Sequence, residues 1–284
     1  MKTRREFIKQ TSFLTAAGLL GSNILKAAAS SAGKKDVGIQ LYSVRNEMLA
    51  DAKGTLLKIG KIGYKEIESA KSDKGNYYGL APKEIKSILN DNGMTLRSGH
   101  IHVDDDFQKS IDEAAETGQQ YLISAVLPSQ GQTVDNYKKS AEQLSKAGEQ
   151  CKKSGLIFGY HNHNSEFDEV DGKILYDVLL ENVDPKYVIM EMDLGWVINA
   201  GKNPLDYFKK YPGRFPLWHL KDMDPAKKHS TEFGKGNVDI AGMFKYAKES
   251  GMKYYFIEQE EYTNNAFESM TFDYNWLQKA DIKG

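Results

Sequence analysis

From Asp36 onward the chain alternates between two hydrophobic rhythms. Short apolar runs bounded by Gly, Pro, Asn or Asp give way to longer segments with apolar positions three or four residues apart. The first rhythm predicts buried strands and the second amphipathic helices. Strands are expected at 37–42, 66–69, 95–103, 121–127, 156–161, 187–193, 217–221 and 254–258. Helices are expected at 48–62, 82–90, 107–117, 134–154, 174–181, 204–210, 240–250 and 266–282. Pro82 and Pro204 stand at helix starts, and Gly118, Gly155 and Gly251 just past helix ends. Eight strand–helix units in about 249 residues predict a parallel sheet, closed into a single-domain (β/α)8 TIM barrel over residues 36–284. An open doubly wound sheet is the rival, but no GxGxxG fingerprint follows the first strand.

Residues 1–35 do not share this rhythm. Arg4 and Arg5 precede Phe7, Ile8 and Lys9; a short apolar stretch follows, then Ala27, Ala28 and Ala29. The stretch is about a dozen residues long, and a spanning helix needs about twenty. Twin arginines, a short apolar run and small residues resemble a Tat-type export signal. Residues 1–35 are thus expected to be leader and linker. The mature protein is expected in the periplasm, without stable membrane association.

The leader also masks the charge. Its seven basic residues against Glu6 make it +6, so a formal net charge of −1 for the whole chain leaves −7 on the rest. That balance disfavours binding to nucleic acid, which relies on lysine and arginine against phosphate. Cys151 is the single cysteine, so no internal disulfide is available; it is expected to be a small buried apolar residue. Oligomeric state is not legible.

The candidate chemistry gathers at predicted strand ends, where barrels of this kind place their active sites. Of six histidines, His100 and His102 end the third strand, His161 and His163 end the fifth, and His219 lies in the seventh. Glu68, Asp193, Asp222, Glu258 and Glu260 fall at the same end. Asp193 closes the apolar run VIMEMD, a position tolerable for a carboxylate only if wet or liganded. Glu191 shares its face two residues deeper, as an extra ligand or a structural carboxylate. Asp193, His219 and Glu258 with one group from strand five would form a mixed N/O site suited to Mn²⁺, Mg²⁺, Co²⁺ or Zn²⁺. Gly234 and Gly236 in FGKGNVD read as a turn or, less specifically, a phosphate cradle.

GIQLYSVR, GYHNHNSEF, EMDLGW, HLKD and FIEQE, in that order, resemble the xylose-isomerase-like superfamily of barrels over the whole mature chain. Sugar isomerases and epimerases, inosose dehydratases and apurinic endonucleases belong to it. The resemblance implies one divalent metal ion held by His161, Asp193, His219 and Glu258. It implies a small carbohydrate substrate and proton abstraction next to a carbonyl, through a metal-stabilised enediolate. Glu258 is the expected base, His163 the second acid–base group, and Lys221 a stabiliser of oxyanion, carboxylate or phosphate. His102, Glu68 and Trp196 are expected to touch substrate, with Trp196 either stacking on a sugar face or plugging the barrel mouth.

Two positions depart from the sugar epimerases. His161 stands where they have glutamate, which breaks a symmetric two-glutamate pair, and Trp196 stands where several have histidine. The primary expectation is a sugar or sugar-phosphate isomerase or epimerase. The alternative is a lyase or hydratase on keto-sugars or 3-keto-glycosides. A non-catalytic sugar-binding barrel is the reading from a different class. An apurinic endonuclease is disfavoured by the mature charge.

Overall fold

The computed structural model describes residues 36–282. Eight parallel strands close into a ring in chain order. They are β1 (Gly38–Gln40), β2 (Glu66–Ala70), β3 (Thr95–Ile101), β4 (Tyr121–Ser124), β5 (Ile157–His161), β6 (Val188–Asp193), β7 (Leu217–Leu220) and β8 (Tyr254–Ile257). β8 pairs back onto β1, with Phe256 beside Gly38 and Ile257 beside Ile39, so the ring has no edge to protect. The expected leader lies outside the described residues. Among the described residues no helix is long and apolar enough to cross a membrane.

All the strands but β2 are shorter than the apolar runs that predict them. After Gln40 the chain turns into a 3₁₀ segment, Leu41–Val44, and β3 and β4 stop at Ile101 and Ser124. Leu41 and Val44 are nevertheless buried, and Val103 and Leu127 pack against the core. Hydrophobic burial outlasts the sheet hydrogen bonds, so the pattern overshoots. The expected helix 48–62 is two helices, Arg45–Ala50 and Ala52–Ile62. Asp51 leaves helical geometry between them, and its carboxylate caps the second by accepting from the Gly54 N–H at 2.9 Å. The expected helix 240–250 is a series of short turns, Ile240–Met243, Phe244–Tyr246 and Ala247–Ser250. A short helix, Leu194–Asn199, and two small antiparallel ribbons had no signal in the pattern.

The larger apolar core lies between ring and helices and includes Leu56, Phe158, Leu179 and Trp218. Tyr121, Ile123, Leu217 and Phe256 form a separate cluster. Its members alternate along their strands with outer-core residues, which places them on the inner face. Gly159 makes room there, because a Cβ on it would lie 2.7 Å from Ile123 Cδ1. This inner face turns polar toward the strand ends: Ile189, Glu191 and Asp193 share a face of β6, as do Leu217, His219 and Lys221 on β7 and its extension.

Candidate active site

Register between neighbouring strands assembles the polar layer. β5 and β6 set His161 beside Glu191, and β6 and β7 set Asp193 beside His219. His161, Asp193, His219 and Glu258 are all buried, and each offers one ligand atom within 4.8 Å of the others. His161 Nε2 lies 4.0 Å from Asp193 Oδ2, and His219 Nδ1 lies 2.9 Å from Glu258 Oε2. Asp193 is held from behind. It is the N-cap of Leu194–Asn199, its Oδ1 accepting from the Trp196 N–H at 2.9 Å, while its own N–H donates to Asn162 Oδ1 at 3.2 Å.

A second polar layer sits against this group. Glu68 Oε1 accepts from Gln40 Nε2 at 2.9 Å and meets His219 Nε2 at 2.6 Å. Glu191 Oε2 meets His100 Nε2 at 2.7 Å, His161 Nδ1 at 3.2 Å and His219 Nε2 at 3.3 Å. A register shift between Ile67 and Glu68 sets Ser98 rather than Arg97 beside Glu68. Arg97 instead makes a two-pronged pair with Glu66 at 2.9 and 3.0 Å.

The electrostatics follow from this crowding. Burial opposes the His219 imidazolium, but Glu191, Glu258 and Glu68 hold it well above the usual histidine range. Burial likewise opposes His100, which Glu68 and Glu191 lift to about 9. His161 goes the other way: burial, then repulsion from His219 and His100, pushes it well down, leaving a neutral ring with a lone pair. Burial and Glu68 push the Glu191 carboxyl up to about 7. Burial resists ionisation of Glu258, but Lys221 and His219 hold its carboxyl well below the ordinary range.

These residues fit a divalent cation. The donor set of two imidazoles and two carboxylates suits Mn²⁺, Mg²⁺, Co²⁺ or Zn²⁺ without selecting one. Asp193 Oδ2 is sealed from solvent, with the Lys221 ammonium at 3.0 Å and His161 Nε2 at 4.0 Å beside it. Asp193, Glu258 and Glu260 face one ammonium, Lys221, at 2.6 to 3.0 Å, so three carboxylates share a single lysine charge.

Above the four-residue group opens a cavity of about 310 Å³, lined in part by Tyr42, His102, His161, His163, Glu258 and Glu260. His102 stands half-exposed at its rim. His163 is 43% exposed, with Nδ1 3.7 Å from Glu166 Oε1. Glu166 is itself anchored by the Tyr160 hydroxyl at 2.6 Å. Two expected substrate contacts are placed elsewhere. Glu68 is fully buried and off the cavity wall, and Trp196 lies over Lys221, whose Nζ is 4.6 Å from its ring centre. Lys221, expected to stabilise an oxyanion, carboxylate or phosphate, is completely buried and off the cavity wall.

Sequence reasoning missed the pairing role of Glu260 and the part played by Gln40, which the strand pattern treats as one more polar residue. The glycine loop resolves as a cradle for the chain's own anion. Asp222 Oδ2 accepts from the N–H groups of Gly234 at 2.8 Å and Gly236 at 3.0 Å, and Oδ1 from Met223 and Val238. A Cβ at Gly236 would lie 2.2 Å from Asp222 Oδ1, so that glycine is required by close approach.

Residues 56–280 match a family described as xylose isomerase-like TIM barrel. Inosose dehydratase from Clostridium perfringens is 26% identical over 144 residues, covering 45% of this chain and 48% of its own. The chain thus spans about half the length of the curated relatives it matches. The crystal structure of a sugar phosphate isomerase/epimerase from Parabacteroides distasonis is 29% identical, with a TM-score of 0.77, covering 90% of this chain and 97% of the other. The IOLI protein, solved with a zinc atom, has a TM-score of 0.69 over 86% of this chain and 97% of its own; at 13% identity it attests to the fold alone.

Proposed function

Because the chain belongs to the xylose isomerase-like TIM barrel family, we propose that it is a divalent-metal-dependent lyase on a small carbohydrate. In this reading it removes a proton next to a carbonyl and expels the substituent one carbon further on. One observation carries the choice of lyase. The cavity has unlike walls, with Glu258 and Glu260 after β8 on one side and, across the ring, His100, His102, His161 and His163 at the ends of β3 and β5. Epimerisation by two equivalent carboxylates needs like groups on both faces. A carboxylate facing imidazoles suits a reaction whose two proton transfers differ. That relatives of this chain are named inosose dehydratase supports the same reading.

His161, Asp193, His219 and Glu258 would hold the metal, which when bound supplies Lewis-acid polarisation of the carbonyl. The chain's own groups do the rest. Glu258 takes the proton from carbon, since the Lys221 ammonium 3.0 Å away keeps it ionised. The electron pair forms a carbon–carbon double bond as the neighbouring carbon–oxygen bond breaks. His163, at the solvent edge, gives its proton to the departing oxygen, with Glu166 Oε1 3.7 Å from its Nδ1 to orient the ring. Lys221 acts through Asp193 and Glu258, held under Trp196, rather than by reaching substrate.

The substrate is proposed to be unphosphorylated. Among the described residues lining the cavity the one lysine is Lys71, and it is already paired with Asp104 at 2.5 Å. Isomerase or epimerase action is the second reading, favoured by the name of the Parabacteroides distasonis structure. Export by the leader containing Arg4 and Arg5 would place the enzyme in the periplasm, which cell fractionation tests.

A single incubation in deuterated water separates these readings. Metal-loaded protein is given a keto-inositol and, separately, a 3-keto-glycoside. A lyase releases water or aglycone and accumulates an enone absorbing in the ultraviolet. Deuterium uptake with a rearranged sugar and no released group would replace the lyase with an isomerase or epimerase. Metal occupancy with neither outcome would leave a sugar-binding barrel.

A further inference from the structure

The inner face offers two overlapping seats for one cation. His161, Asp193, His219 and Glu258 form the upper; His100, His161, Glu191 and His219 form the lower. Both use His161 and His219, but through opposite ring nitrogens. His161 presents Nε2 toward Asp193 at 4.0 Å and Nδ1 toward Glu191 at 3.2 Å. His219 presents Nδ1 toward Glu258 at 2.9 Å and Nε2 toward Glu68 at 2.6 Å.

We infer that Glu68 and Glu191 are positioning residues that fix the tautomers of His219 and His161 and thereby assign the cation to the upper seat. The argument is one of proton accounting. His219, an imidazolium when no cation is bound, must give up one ring proton to become a ligand; a ligating imidazole then has one N–H and one lone pair, and an ionised carboxylate can only accept. With the proton of His219 on Nε2, the ring donates to Glu68 and turns the Nδ1 lone pair toward Asp193 and Glu258. With the proton of His161 on Nδ1, the ring points it toward Glu191, 3.2 Å away, and turns the Nε2 lone pair the same way. His100 Nε2 and Gln40 Nε2 donate to the same two carboxylates, at 2.7 and 2.9 Å. Every ring nitrogen facing the lower seat then carries a proton directed at a carboxylate, and no lone pair remains there for a metal. The opposite tautomers would aim N–H groups into the upper seat and leave Asp193 Oδ2 and Glu258 without a nitrogen partner ligand. Carboxylates behind metal-binding histidines generally set ring orientation and basicity in this way. Here the device also accommodates a histidine on β5.

The inference rests on the metal-site reading above and not on the reaction proposed for it. Its test is the binding of Co²⁺ to the full chain stripped of metal, followed by competition with a coloured chelator and by the visible spectrum of the bound ion. Wild type is expected to bind one Co²⁺. Glu191→Gln and Glu68→Gln, each with a thermal melt to establish folding, are expected to bind about 10- to 100-fold more weakly with an altered spectrum. The double variant Asp193→Asn, Glu258→Gln is expected to lose binding. Both single variants retaining wild-type affinity and spectrum would overturn the positioning role alone. A double variant that keeps Co²⁺ while Glu191→Ala loses it would move the ion to the lower seat. Wild type binding no Co²⁺ would sink both this inference and the metal-dependent reading.

Discussion

Charge is most tightly balanced at Lys221. Its ammonium is fully buried, 3.0 Å from Asp193 Oδ2, 3.0 Å from Glu258 Oε2 and 2.6 Å from Glu260 Oε1. Burial opposes that charge, but the three carboxylates hold its pKa well above the usual lysine range. Removing one partner from a buried ionic cluster costs about 3–5 kcal/mol, because the remaining charges lose their compensation. Lys221→Met, similar in length and apolar, is therefore expected to lose about that much stability when divalent cations are chelated. Mn²⁺ at Asp193 and Glu258 would replace part of the missing charge, so it should raise the urea midpoint of the variant more than that of wild type. Urea titrations of both proteins with Mn²⁺ and with chelator measure this. A variant within about 1 kcal/mol of wild type under chelation would mean that the carboxylates do not depend on the ammonium.

Between β7 and β8 the chain is secured to the last helix, Ala266–Lys279, through Glu232. That carboxylate accepts from Thr263 N at 3.2 Å, Thr263 Oγ1 at 2.9 Å and Ser269 Oγ at 2.8 Å. Burial alone would raise it, but these donors outweigh burial and hold it at about 2, below its ordinary 4.5. A carboxyl depressed on folding contributes stability that is complete above its unfolded value and is lost as pH falls through the folded one. Glu232→Gln should cost about 1–3 kcal/mol at neutral pH. The gap from wild type should close between about pH 5 and pH 2, and urea midpoints at pH 7, 4 and 3 follow it. A gap independent of pH would show that the charge contributes nothing. The same segment marks the limit of pattern reading. The eight strands were legible because each apolar run overlaps a hydrogen-bonded stretch, and period two put Glu191 and Asp193 on one face. Depth was not legible, because it depends on stagger between strands. Glu68 and Lys221 read as groups that meet the substrate, and both are fully buried off the cavity wall. In FGKGNVD the spacing of the glycines was visible, but not that their N–H groups serve Asp222, which approaches only when the loop folds back.

For the molecule as a whole, Cys151 and the candidate metal site should report on the same equilibrium. Cys151 is fully buried on the helix Val134–Lys153, and burial pushes its thiol up to about 12. Labelling by a thiol reagent therefore requires this helix to come away from the ring. Every strand of the closed ring is bonded to two neighbours, so uncovering β5 and β6 exposes apolar surface that the whole barrel shares. Opening at Cys151 is expected to be global opening rather than local fraying. A cation bound at the strand ends favours only the closed ring, by about 2.7 kcal/mol at 100 times its Kd. Labelling of Cys151 should then slow about 100-fold on adding the ion at that concentration, although the thiol belongs to the outer layer and the ion to the inner. Labelling rates with and without Mn²⁺, at a reagent concentration where labelling follows the open population, make the comparison. An unchanged rate with the ion bound would mean that Val134–Lys153 detaches alone, and that the strand ends and the helix layer are not coupled through one cooperative transition.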